Sequence, residues 1–123
     1  MKNSASLRKK PVRSPSEKCL HLLCWQWVSR ARPDLLIFHV PNERKGGIGT
    51  ALHFQRMGVL PGVADFLVFT AGRRVAIELK DEDGKQRQSQ VLFQVRWERE
   101  GGTYLIVRTI EEFQGAIDGI AGR

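Results

Sequence analysis

The stretch Gly62-Val63-Ala64-Asp65-Phe66-Leu67-Val68-Phe69-Thr70-Ala71-Gly72-Arg73-Arg74-Val75-Ala76-Ile77-Glu78-Leu79-Lys80 decides the fold. Two apolar runs flank a short turn and read as the strands of a hairpin. An acid opens the first run, and Glu78 and Lys80 close the second. Charged groups at the ends of core-like strands are costly unless paired or holding a metal. With Ala71-Gly72 as a two-residue loop, Thr70 pairs with Arg73 and Asp65 falls opposite Glu78. Their Cβ atoms would then lie roughly 4.5–5.5 Å apart. Carboxylates that close repel unless a cation sits between them. Ala-Gly is not a preferred loop pair, so a one-residue slip stays open, and even that slip would let the two acids share an ion.

Strand parity adds a third group. Glu78 and Lys80 are two apart and point to one face, while Ile77 and Leu79 point to the other. One patch therefore holds Asp65, Glu78 and Lys80.

An Asp, a hairpin and then Glu78-Leu79-Lys80 resemble the PD-(D/E)XK nuclease core, with Pro61-Gly62-Val63-Ala64-Asp65 standing where that superfamily has its "PD". The flanking residues resemble its VRR-NUC branch: Pro41-Asn42-Glu43 before a basic Gly-rich stretch, the Gly62-Val63-x-Asp65 entry, Ile77-Glu78-Leu79-Lys80, then Lys85, Gln90 and Gly101-Gly102. The resemblance runs from about Glu17 to about Ile117. Ala64 departs from the branch, which usually has Pro or another residue before the acid; that side chain is not a ligand.

The resemblance implies a restriction-endonuclease-like αβββαβ core, a central mixed four-stranded sheet flanked by helices. It also implies roles. Asp65, Glu78 and the Leu79 backbone carbonyl would hold Mg²⁺, with Mn²⁺ able to substitute, and Lys80 would orient or deprotonate the attacking water. Gln90 resembles the family's helix glutamine, with Gln86, Gln88 and Gln94 as alternatives. The superfamily places an acid on its first helix, and Glu17 is the only acid available there. The sequence leaves a second reading of Glu17 open, as the capping-box partner of Ser14. Glu43 is a further site candidate, against a loop pairing with Arg44. His39 and His53 have no part in this scheme, and His21-x-x-Cys24 lacks the second ligand pair that zinc would need.

At 123 residues the chain is one small domain. Residues 14–119 read as the nuclease domain and 1–13 as a basic, disordered tail. Hydrophobic content of 41% and charged content of 27% suit a globular protein, and no stretch reaches the length of a membrane span. Cys19 and Cys24 are five apart on a predicted helix and do not pair. Reduced thiols suit a cytoplasmic, bacterial or phage-encoded setting.

The net charge is +7, and residues 1–13 supply five of the excess cations with no acid: Lys2, Arg8, Lys9, Lys10 and Arg13. A basic tail on a nearly balanced body points to nucleic acid. Arg44, Lys45, Arg56, Arg73 and Arg74 are candidates to line a phosphate path beside the site. No base-reading motif is present, so backbone or shape recognition is expected.

The periodicity predicts a helix from Ser14-Pro15-Ser16-Glu17 to about Ala31, ended by Pro33, and a buried strand over Leu35–Val40. A long basic loop follows over 41–61, with a short helix near Thr50–Met57. Beyond the hairpin come a helix from Gln86 to Glu100, with Val91, Leu92, Val95, Phe93 and Trp97 as its apolar contacts, a strand over Thr103–Arg108, and a helix from Ile110 to Ile117. Runs apolar on both faces imply helices on both sides of the sheet.

The leading expectation is a metal-dependent endonuclease on branched DNA such as a Holliday junction, acting as a homodimer. Two rivals stand beside it. One is a non-catalytic nucleic-acid-binding module, against which the intact Asp65, Glu78 and Lys80 argue. The other is a flap or nick nuclease acting with replication proteins.

Overall fold

The computed structural model describes residues 16–41 and 47–121. In chain order these form α1 (Glu17–Ala31), β1 (Leu36–His39), α2 (Ile48–Arg56), β2 (Phe66–Thr70), β3 (Arg73–Leu79), α3 (Gln88–Arg99), β4 (Thr103–Val107) and α4 (Ile110–Ala121). The sheet order is β1-β2-β3-β4. β1–β2 and β2–β3 are antiparallel and β3–β4 is parallel. This is the expected mixed four-stranded sheet, and α3 forms the crossover that a parallel pair requires.

The hairpin adopts the register set by the two-residue loop. Thr70 pairs with Arg73, Val68 with Val75 and Phe66 with Ile77. Ala71 and Gly72 both take positive φ, 49° and 78°, as the tight hairpin turns that match strand twist demand.

Parity then separates two cores. Residues of odd number in β3, with Phe66, Val68 and Val107, pack under Leu20, Cys24 and Val28 of α1 and Phe113, Ile117 and Ile120 of α4. On the other face Ala64, Ala76, Tyr104 and Leu67 meet Phe93 and Trp97 of α3. Burying each large side chain contributes about 1.5–3 kcal/mol, so β3, covered on both faces, is the axis of the molecule.

Four local readings are corrected. The cap of α1 is Ser16, whose Oγ accepts the Cys19 N–H at 3.2 Å; Ser14 and Pro15 lie outside the described residues. Glu17 is thereby the first helical residue and not the third, so it closes no box with Ser14. β1 is an edge strand in which only Ile37 is buried, with Leu36 and Phe38 exposed. On α3 the buried side chains are Gln90 and Phe93, while Val91, Leu92 and Val95 face outward. α4 runs four residues beyond Ile117, to Ala121.

No helix among the described residues is long and apolar enough to cross a membrane. Cys19 is exposed and Cys24 buried, both free; burial pushes the Cys24 thiol up to about 12.

Candidate metal centre

Asp65 is the residue before β2, where the hairpin opens. Its Oδ2 accepts the Leu79 N–H at 2.8 Å, which ties the acid to the far end of β3. Glu78, one residue earlier on β3, points to the opposite face from Leu79 and is 2% exposed. Its Oε2 accepts from Gln90 Nε2 at 2.6 Å and lies 3.8 Å from Lys80 Nζ. Lys80 is itself buried.

Gln90 is oriented from behind. Its Oε1 accepts the Arg87 N–H at 2.8 Å, in the manner of a third-position capping residue. With the oxygen so used, the amide nitrogen is the end left for Glu78. Gly62 brings this helix start close. At φ +83° its backbone lies so near α3 that a Cβ there would collide with the Ser89 carbonyl.

The turn after Lys80 is clamped as well. Arg108 Nη1 donates to the Asp81 and Gly84 carbonyls, each at 2.8 Å.

Glu17 completes the group. Carboxylate oxygens of Glu17, Asp65 and Glu78 lie within 4.8 Å of one another. They open on a cleft of about 620 Å³ that is also lined by His21, His39, Arg87 and Gln90. Crowding and burial act on all three acids. Burial first, then the charge of Asp65, pushes Glu78 up to about 8 against the pull of Lys80. Burial also raises Asp65, opposed by the Leu79 N–H, and burial raises Glu17, opposed by Lys80.

The acids therefore fit a divalent cation. Glu78 Oε1 is buried without a hydrogen-bond partner, and such an atom costs about 1–3 kcal/mol unless something takes its lone pair. An all-oxygen donor set suits Mg²⁺ or Mn²⁺.

The structure brings Asp65, Glu78, Lys80, Gln90 and Glu17 together, with the Leu79 backbone beside them. It does not bring Arg73 and Arg74. They stand at the turn end of β3, with Arg73 Nη1 donating to the Ile120 carbonyl at 3.0 Å and Arg74 Nη2 to the Glu100 carbonyl at 2.6 Å. From Arg74 to Glu78 is roughly 13 Å of strand, so neither lies beside the site. Arg56 is exposed on α2 and is not among the side chains lining the cleft. Glu43, Arg44 and Lys45 lie outside the described residues. Of the alternatives to Gln90, Gln86 and Gln94 bond to each other at 3.0 Å, and Gln88 is exposed.

Sequence reasoning missed His21, His39 and Arg87. One signal was available: His21 follows Glu17 by four residues and shares its helix face. His39 needed the β1–β2 register, which pairs it with Phe66, the neighbour of Asp65.

This sheet, with its helices and the acids at one end, defines a class seen before. No family model matches the chain, and no curated protein does. Solved structures do. One described as a VRR_NUC domain protein superposes with a TM-score of 0.69 at 21% identity, covering 86% of this chain and 88% of that one. A second, described as a VRR_NUC domain, gives 0.56 at 17% identity over 85% and 97%. The chain has the VRR-NUC fold.

Proposed function

We propose that this chain is a divalent-metal-dependent endonuclease that hydrolyses phosphodiester bonds in DNA. The observation that carries the reading is the cluster of Glu17, Asp65 and Glu78, whose carboxylate oxygens lie within 4.8 Å of one another, set beside a buried lysine on a VRR-NUC fold.

Asp65, Glu78 and Glu17 would hold the ion. The Leu79 carbonyl is the third ligand of the expected set. Both backbone groups of a strand residue turn to one edge, and the Leu79 N–H already turns to Asp65. A divalent cation there supplies Lewis acidity toward a phosphate oxygen and a water of lowered pKa. The rest falls to the chain. Lys80, pinned by Glu78 and the Arg108 clamp, orients the attacking water and offsets charge building on the phosphate. Gln90 keeps Glu78 from turning away. Arg87, at the cleft wall, meets the phosphate backbone. Water attacks phosphorus in line and the P–O bond to the departing sugar breaks.

The preferred substrate in this reading is branched DNA, cut by a symmetric homodimer, because one site cannot reach two opposed strands at once. Residues 1–13 add affinity by displacing counterions and add no chemistry. The test is cleavage of branched, flapped and linear DNAs with Mg²⁺, Mn²⁺ or EDTA. Expected is metal-dependent cutting that is lost in Asp65→Ala while DNA binding persists. Full activity of that variant, or equal cutting in EDTA, would sink the proposal. Light scattering of the DNA complex checks the dimer, and deletion of 1–13 should flatten the salt dependence of binding.

A further inference from the structure

Asp65 belongs to two clusters. One is the carboxylate group above. The other joins it to two imidazoles, with ligand atoms of His21, His39 and Asp65 also within 4.8 Å of one another. Three separate elements build this trio: His21 one turn along α1 from Glu17, His39 at the end of β1, and Asp65 at the head of β2.

The two imidazoles meet Asp65 differently. His21 Nδ1 stands 4.0 Å from Asp65 Oδ1, too far for a hydrogen bond. His39 Nδ1 lies 2.8 Å from the Asp65 backbone oxygen. A carbonyl only accepts, so Nδ1 carries the proton and Nε2 keeps its lone pair. An imidazole tied through its Nδ1–H to a carbonyl, so that Nε2 keeps its lone pair, is the arrangement that orients metal-bound histidines. The rings meet edge to face with centroids 4.4 Å apart, and both contact the buried Phe66 ring, at 4.7 and 6.0 Å.

Two nitrogens and one oxygen make a different donor set from three carboxylates. Imidazole favours zinc, cobalt and nickel, where carboxylates favour magnesium and manganese. We propose that His21, His39 and Asp65 form a second cation position, selective for borderline transition ions of the Zn²⁺ and Co²⁺ class. Three protein ligands would leave a four-coordinate ion one position for water or another ligand. The assignment stands on the donor geometry and does not depend on the nuclease reading.

The test is direct binding of Zn²⁺ and Co²⁺ to the full chain, free of DNA. Saturating Zn²⁺ should move the ¹⁵N resonances of Nε2 of His39 and of one ring nitrogen of His21. Losing a residue that merely orients a ligand lowers metal affinity about 10–100-fold, so His21→Ala and His39→Ala should each weaken Co²⁺ binding by at least that factor in calorimetry. Glu78→Gln, outside the trio, should keep the imidazole shifts. Unmoved imidazole resonances at saturation would overturn the proposal, and so would Co²⁺ affinity unchanged in both alanine variants. A thiolate charge-transfer band without imidazole shifts would place the ion on exposed Cys19 and overturn it too. The wild-type spectra decide the matter even if an alanine variant fails to fold.

Discussion

The two ends of the β2–β3 hairpin treat charge in opposite ways. At the turn end, Arg73 and Arg74 donate to the Ile120 and Glu100 carbonyls. These carbonyls lie at the C-terminal ends of α4 and α3, where oxygens lack helical donors and the dipole is negative. The fold answers its own cations there. At the open end, oxygens of three carboxylates lie within 4.8 Å of one another, Glu78 among them stands 3.8 Å from the buried Lys80, and its Oε1 has no hydrogen-bond donor. The strands and register are the same at both ends. The difference is that the cations at one end find acceptors within the fold, while the other end crowds three acids together and leaves a buried carboxylate oxygen without a donor.

The sharpest way to break the contrast is to neutralise the open end. Glu78→Gln keeps the shape and removes the charge. Cleavage should drop below detection with Mg²⁺ or Mn²⁺, and Lys80→Ala should lose about 10²–10³ in rate, the range for removing one charge-stabilising donor. Without metal at pH 8, Glu78→Gln should melt higher than wild type, because burial pushes the Glu78 carboxyl up to about 8 and the amide carries no such cost of ionising. Single-turnover cleavage and thermal melts in EDTA check both halves. A glutamine variant that cuts normally, or that melts lower in EDTA, would contradict the contrast.

Next comes pH. Glu78 is pushed up to about 8 in the folded chain, against an ordinary carboxylate near 4.3 when unfolded. Between those values the folded state binds more protons than the unfolded one, so stability falls as pH rises. The contribution is fully present below the unfolded value and lost as pH passes the folded one. The slope is about 1.4 kcal/mol per unit while Glu78 titrates alone, and Asp65 and Glu17 shift in the same direction. Urea midpoints in EDTA should therefore decline from pH 5 to pH 8. Millimolar Mg²⁺ should restore much of the loss at pH 8, and Glu78→Gln should flatten the curve. A midpoint that rises across this window would show that the open end is not strained by its own charge.

How the open end is built can be tested at Gly62. A Cβ there would run into the Ser89 carbonyl, at a positive φ that alanine resists. Gly62→Ala should cost about 1–3 kcal/mol. It should also push the start of α3 outward, so that Gln90 loses Glu78. Melting and the Gln90 side-chain amide resonances report the two effects. Loss of stability with an unmoved Gln90 amide would separate the turn from the site.

The sequence carried the open end better than the turn end. A two-residue loop admits one register, and that register alone put Asp65 opposite Glu78 and set Lys80 on the face of Glu78. Gln90 came from the resemblance to the family's helix glutamine, with Gln86, Gln88 and Gln94 left as alternatives that the residues alone did not separate. Glu17 was half legible: Pro15 and the box spacing point to Ser14 as the cap, whereas Ser16 caps the helix, and that shift is what releases Glu17 for the cleft. His39 was not legible, because its place depends on pairing across a 26-residue separation. Arg73 and Arg74 looked like free cations for the same reason. Their partners are backbone oxygens 47 and 26 residues away, and a carbonyl leaves no trace in a side-chain pattern.

The smallest effect belongs to the turn end. Ala71 sits at φ 49°, a left-handed backbone that costs an L-residue with a Cβ roughly 1–2 kcal/mol. Asparagine tolerates that conformation, and Asn-Gly is the favoured pair for this kind of hairpin turn. Ala71→Asn should therefore stabilise the chain, by about 0.5–1 kcal/mol once the residual strain of asparagine is allowed for. The position lies at the opposite end of the strands from Asp65 and Glu78, so cleavage per folded molecule should stay within about twofold, since distant, unlinked sites act nearly independently. Denaturation midpoints and single-turnover rates measured side by side check it. If the substitution stiffens the turn and also changes the rate, the two ends communicate along the hairpin and are not separable parts.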